Sequence, residues 1–311
     1  MRHKILAATA VAFLCAGCAA EPEAEVAAPP VMTLPGTIMA ERGGFIPEGV
    51  EYDATNERFL TGSIAEGSIL EIGVDGSVTT VETDDELVSS VGIEVDEETD
   101  RLLVANADAS VFDGSGAGHA KLGVYQLSTG DRLAMVDLGA LIENPGDSVF
   151  FANDVTVDDD GTAYVTDTRM NTIYRVSTDY EASVLHRFDD FSPNGIVHHP
   201  NGYLLVAGGS TLWKVPLDDP SGASLVALPE EIPGQDGAVW TADGRLAIVS
   251  NSGNRVVALT SSDDWATAVL VGVAAYETQA TTAAVVGNDV YVVHPHFGDA
   301  DPPSLERVTF Q

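Results

Sequence analysis

The chain has 311 residues, 48 of them acidic and 14 basic, for a formal charge of −34 at pH 7, and 45% of its residues are hydrophobic. So large an acid excess repels a phosphate backbone and excludes nucleic acid as a partner, and so high an apolar content excludes a disordered chain. The two cysteines, Cys15 and Cys18, both lie near the N-terminus, so the rest of the chain can form no disulfide, thiolate zinc site or cysteine nucleophile.

At the N-terminus, Arg2, His3 and Lys4 precede an apolar run from Ile5 to Leu14 that is too short to span a bilayer. The following LCAGC ends at Cys18 with the small residues a lipoprotein signal peptidase needs. Residues 1–17 are expected to be a lipoprotein signal peptide, Cys18 the acylated N-terminal residue of the mature protein, and residues 18–30 a flexible tether. Ala19, rather than Asp, follows the cysteine. The expected location is therefore the outer membrane, with the exported, lipid-anchored domain facing the periplasm.

From residue 31 to residue 311 one domain is expected. A unit made of a small or acidic residue, an alternating apolar run, a polar turn and a second apolar run recurs six times, starting at Gly49, Gly92, Asp154, Gly195, Gly237 and Thr281. A period of roughly forty residues with two-residue apolar alternation marks a four-stranded blade. The fold class is thus all-β, a six-bladed β-propeller. The last copy has room for about three strands, and residues 31–40, apolar and upstream of the first copy, are expected to supply the missing strand and close the ring. The second interval is long. Its excess falls at residues 107–119, ADASVFDGSGAGH, and at about residues 140–151, which read either as lids or as surface loops.

The residue before each repeat start is Glu48, Val91, Asn153, Asn194, Asp236 and Ala280. In a propeller this position tops the innermost strand, so equivalent residues face one another across the channel. Two carboxylates and two amide oxygens converging there suit a hard cation, with Ca2+ favoured over other divalent metals because it accepts oxygen ligands in flexible geometry. Each residue taken singly is also an ordinary turn former. The second strand of each blade runs back to the same face. Its end places Asn106, Asp167, Asn251 and His294 as substrate contacts, supports for the ligands, or loop caps, and His119 could reach the site from the longer insertion.

The segments IPEGVEYD, FANDVTVDDDG, SPNGIVHHPNG and GQDGAVWTADG, in that order, resemble the metal-site motifs of regucalcin, the gluconolactonases and related sugar-lactone lactonases, and TTAAVVGNDVYVV is similar to that family's closing blade. The resemblance runs from about Phe45 to the end. It implies that Glu48, Asn153, Asn194 and Asp236 hold the metal. It also implies a calcium-dependent hydrolase of a lactone or related ester acting on a small molecule, with Asp236 as the base that activates water; with the N-terminal signal, the expected protein is membrane-tethered, and it is expected to be a monomer. The sugar lactonases carry an Arg two residues before the first Asn, and here that position is Phe151, which implies a less polar substrate. Val91 stands where paraoxonases carry a catalytic His. The other class of function that fits is a non-enzymatic, metal-braced ligand-binding propeller.

Overall fold

A computed structural model describes residues 34–143, 145–298 and 301–311. Cys18, the signal peptide and the tether lie outside the described residues. Pro35–Gln311 forms one compact unit, and it is all-β. Strand β1 (Thr37–Met39) precedes the first blade, which consists of β2 (Val50–Asp53), β3 (Arg58–Gly62), β4 (Ser68–Ile72) and β5 (Val78–Thr83). The second blade contains β6 (Ser89–Asp96) and β7 (Arg101–Ala107). After the short strand β8 (Gly118–His119) it is completed by β9 (Lys121–Gln126) and β10 (Arg132–Asp137). The third is β11 (Phe150–Val157), β12 (Ala163–Asp167), β13 (Thr172–Val176) and β14 (Ala182–Arg187). The fourth is β15 (Ile196–His199), β16 (Tyr203–Gly208), β17 (Thr211–Pro216) and β18 (Ser224–Leu225). The fifth is β19 (Gln235–Trp240), β20 (Leu246–Ser250), β21 (Arg255–Thr260) and β22 (Val269–Ala275). The sixth holds β23 (Ala283–Val286), β24 (Asp289–His294) and β25 (Ser304–Val308), with β1 paired antiparallel to β25, Ile38 opposite Leu305.

Each recurring sequence unit is thus an inner strand, a tight turn and the strand that follows. The inner strands β2, β6, β11, β15, β19 and β23 touch in that cyclic order, and β23 returns to β2. The second strands are buried along nearly their whole length, as in RLLVANA of β7 and LAIVS of β20, because both faces pack against neighbouring blades. The core accordingly lies between blades. Leu103, Leu122 and Val124 of the second meet Val155, Val165 and Tyr174 of the third, and Leu205 and Leu212 of the fourth meet Ile248 and Val257 of the fifth. Each such side chain contributes roughly 1.5–3 kcal/mol on burial. The first and sixth blades meet through Phe59 and Tyr291, edge to face at 5.3 Å. The outer strands β5 and β14 mix half-buried and exposed residues, and β22 adds only Gly272 and Ala274 as buried positions. Among the described residues, no helix is long and apolar enough to cross a membrane.

The insertion at residues 107–119 makes a single 3-10 turn at Ala109–Val111, capped by the Asp108 carboxylate on Ser110 N–H at 2.9 Å. It then adds β8 as a fifth strand alongside β11, parallel, with His119 opposite Phe151.

Candidate metal centre

Three of the six inner strands, β6, β11 and β19, do not pair regularly with the strand that follows. Ala152 faces Asp167 and Val155 faces Val165, so Asn153 and Asp154 together oppose the single residue Thr166. In the fifth blade Gln235 faces Ser250 and Ala238 faces Ile248, so Asp236 and Gly237 oppose Val249. The second blade repeats the pattern at Val91–Gly92. Bulges of this kind bend a strand and re-aim one side chain, and in these three blades the re-aimed position is the one that precedes the repeat start. The glycine that follows answers to packing between blades rather than to a turn. A Cβ on Gly195 would lie 2.2 Å from the Asp236 carbonyl, and one on Gly237 would lie 2.0 Å from Thr282 Oγ1. Neighbouring inner strands are stitched at this level by Gly237 N–H to the Thr281 carbonyl (2.9 Å), Thr281 Oγ1 to the Glu48 carbonyl (2.7 Å) and Thr166 Oγ1 to the Asn194 carbonyl (2.7 Å).

The result is a cavity of about 420 Å³ with two chemically distinct sides. Glu48, Asn153, Asn194, Asp236 and Asn251 supply the polar side; Ile64, Val91, Phe112, Phe151 and Phe297 supply an apolar wall. Asp236, 8% exposed, accepts from Asn251 Nδ2 at 2.8 Å and from the Asn194 amide. Burial pushes its carboxyl up to about 7 against the lowering effect of those two donors, and the nearby Asp154 charge adds to the rise. Glu48 is raised well above the usual carboxylate range, first by burial and then by the charges of Asp236 and Asp154. Asn153 donates through Nδ2 to Thr168 Oγ1 at 2.8 Å, and Thr168 in turn donates to the Pro193 carbonyl at 2.8 Å. Its Oδ1 is buried with no hydrogen-bond partner.

These residues fit a hard cation. An orphaned amide oxygen and two carboxylates held apart from countercharge are the features that an oxygen-liganded divalent ion would relieve. Among the described residues no three His, Cys, Asp or Glu side chains are grouped to hold a metal, so a cation at this level would depend on the asparagine oxygens as well as on the carboxylates.

The four residues before the repeat starts, together with Phe151 and Asn251, line this one cavity. Asp167, Asn106 and His294 do not. Asp167 sits behind the wall and accepts from the N–H groups of Phe151 (2.9 Å), Arg169 (3.1 Å) and Met170 (3.0 Å). Asn106 caps the neighbouring connection, with Oδ1 on Val88 N–H at 3.0 Å and Nδ2 on the Glu86 carbonyl at 2.8 Å. His119 Nε2 lies 3.3 Å from Asn106 Oδ1 and does not line the cavity. The ring nitrogens of His294 face the Gln279 carbonyl (3.2 Å) and Glu306 Oε2 (3.1 Å). Because Gln279 Nε2 donates to Asn251 Oδ1, His294 is linked to Asp236 through Gln279 and Asn251 rather than directly.

Three features escaped the sequence reading. Phe112 on the insertion and Phe297 after β24 complete the apolar wall, and Arg169 stands among the lining residues. Below, the continuing inner strands enclose a second cavity of about 200 Å³ lined by Glu51, Glu94 and Asp154. Burial raises Asp154 to about 7, and burial followed by the Asp154 charge raises Glu51 to about 8. Glu94 rises well above the usual range through burial and the Glu51 charge. A signal for the two glutamates was present, since GVEYD and GIEVD put them at the same repeat position.

Residues 46–293 match the model of the SMP-30/gluconolactonase/LRE-like region. No curated protein sequence matches the chain at a significant level. Among solved structures, the chain is similar to the major Malassezia sympodialis allergen Mala s 1, with 18% identity and a TM-score of 0.74 over 89% of this chain and 97% of that one. It is also similar to a regucalcin from Agrobacterium tumefaciens described as a calcium-binding protein, with 17% identity and a TM-score of 0.63 over 89% and 96%. A luciferin-regenerating enzyme gives 13% and 0.64 over 88% and 94%. At these identities the structural likenesses establish the fold alone.

Proposed function

Because this chain belongs to the SMP-30/gluconolactonase/LRE-like family, we propose that the larger cavity is the active site of a calcium-dependent hydrolase acting on a lactone or related ester. One observation carries the proposal: Glu48, Asn153, Asn194 and Asp236 line a single apolar-walled cavity in which a buried Asn153 oxygen has no partner. Those four side chains would hold the ion. When bound, the ion supplies a positive charge that polarises a carbonyl oxygen and stabilises the negative charge developing on it.

The chain's own residues do the rest. Asp236 accepts the proton of the attacking water. Asn251 and Asn194 donate to its carboxylate, which fixes its orientation and opposes protonation. Glu48 adds the second negative charge for the cation. Thr168 fixes the Asn153 amide through Nδ2 and leaves its oxygen without a protein partner, available to the ion. Phe151, Phe112 and the rest of the wall present apolar surface to the acyl side and favour an apolar substrate.

The chain upstream is proposed to be a lipoprotein signal with Cys18 as the acylated anchor, which would tether a monomeric domain to the outer membrane on its periplasmic side. The pairing of β1 with β25 supports reading that segment as the closing strand of the ring. The test is hydrolysis of aliphatic, aromatic and sugar lactones by metal-stripped protein with each divalent ion restored. Activity returning with Ca2+ is the expected result. Calcium binding without hydrolysis of any lactone or ester would leave a binding propeller instead.

A further inference from the structure

Among the described residues, Arg169 is the only basic one that lines the larger cavity. It follows the end of β12, its backbone N–H donates to the buried Asp167 carboxylate, and the residue itself is exposed. Its guanidinium carbon lies 5.2 Å from the centre of the Phe112 ring, and Phe112 packs edge to face on Phe151 at 4.8 Å. A guanidinium stacked on a ring is held through its face, and the N–H donors at its edge stay free.

Acids outnumber bases 48 to 14 in this chain, and arginines elsewhere sit on carboxylates, as Arg58 does on Asp53, Arg101 on Asp96, Arg132 on Asp84 and Arg307 on Asp289. Arg169 makes no ion pair among the described residues. Arg175 and Arg187 share that trait, but they lie on β13 and β14 and do not line this cavity. The cavity thus pairs an acidic floor with one unpaired cation, separated by an apolar wall.

Resting on the hydrolase reading above, we propose that the substrate is amphipathic and anionic, with a carboxylate beyond its apolar body, and that Arg169 is the residue that selects it. The reacting carbonyl lies toward Glu48, Asn153, Asn194 and Asp236. The apolar body packs on Phe112 and Phe151, and the distal carboxylate accepts from Arg169. An anion placed at the floor would meet Glu48 and Asp236; placed at Arg169, it meets the one compensating charge in the cavity.

The test uses two δ-lactones with the same short alkyl tail, one ending in methyl and the other in carboxylate, and the two tetrahydropyrans with those tails as non-hydrolysable probes. The calcium-loaded full chain is compared with Arg169→Gln and Arg169→Lys, by kcat/KM for the lactones and by calorimetry for the ethers. The readout is the carboxylate-to-methyl ratio. A charge-assisted contact of this kind gives the wild type a preference of about 10- to 100-fold. The ratio should collapse in Arg169→Gln and return in part in Arg169→Lys. A merely structural role would move both members equally and leave the ratio intact, which would overturn the proposal. So would a ratio that survives Arg169→Gln, because the carboxylate would then sit on the metal. If neither lactone is hydrolysed but the ethers show the Arg169-dependent ratio, the hydrolase reading falls and the anion site stands. If hydrolysis occurs and no carboxylate preference appears in either assay, the hydrolase reading stands and the anion site falls.

Discussion

Asp236 is nearly buried, with two amide donors on its carboxylate. Replacing it with Asn keeps the shape and removes the base. At saturating calcium, Asp236→Asn is expected to lower hydrolysis by about 10² to 10⁴, measured as kcat on the best lactone, and an undiminished rate would remove Asp236 from the mechanism. Thr168 acts one step back, accepting from Asn153 Nδ2 and donating to the Pro193 carbonyl. Thr168→Val frees the Asn153 amide to rotate, so calcium affinity should fall about 10- to 100-fold by calorimetry. Thr168→Ser should restore it, since the hydroxyl alone does the holding. The sequence reading had placed Asp167, not Thr168, at this strand end. The register shows why: Asp167 is opposite Ala152 and Asn106 is opposite Ser90, both one residue short of the re-aimed position. Side chains alternate faces along a strand, so one step changes everything. Thr168, one residue beyond Asp167, and Asn251, one beyond Ser250, face the cavity, whereas Asp167, Asn106 and His294 face away from it.

At the scale of the strand, two-for-one bulges re-aim Asn153 and Asp236, two of the four residues that make the site. Strand periodicity in the sequence was enough to find the six inner strands, because their starts share one composition and recur at blade spacing. The bulge was not legible, because an Asp-Gly or Asn-Gly pair looks the same whether it turns the chain or lets a neighbouring blade approach. Gly237→Ala distinguishes the two. A turn glycine with open space would tolerate the change, but here the added methyl meets Thr282 Oγ1. The expected cost is about 1–3 kcal/mol by denaturant melts, with weaker calcium binding. Gly43→Ala, whose nearest neighbour would be at 3.7 Å, is the control and should be close to neutral. The insertion also has a structural account. Its sequence reads either as a lid or as a surface loop, with His119 as the residue that could reach the site; instead β8 lies beside β11, and Phe112, from the turn before it, closes the wall.

For the molecule as a whole, the acid excess reaches the axis of the propeller as well as its surface. Glu51 and Glu94 share the lower cavity with Asp154, and no lining residue there is basic. The fold holds the Glu51 proton up to about 8, while the unfolded chain releases it near 4.5. Unfolding therefore releases protons between those values, so this group's contribution to stability falls as pH rises from about 4.5 to 8. In metal-free protein, Glu51→Gln should raise the melting temperature at pH 8, leave it nearly unchanged at pH 4.5, and flatten the slope between. Thermal melts across that range check it, and a parallel shift at all pH values would contradict it. The cyclic contact of the six inner strands has a consequence for how the protein is made. Glu48 is supplied by the first blade and Asp236 by the fifth, and the Glu48 carbonyl is gripped by Thr281 at the entrance to the sixth. A growing chain emerges from its N-terminus, so the first three of the four ring residues must wait for nearly the whole domain to be synthesised before the fourth can join them. High-affinity calcium uptake by this protein would then mark the completion of biogenesis: a truncated or half-closed ring would bind the ion poorly, and calcium would stabilise only chains that had finished folding.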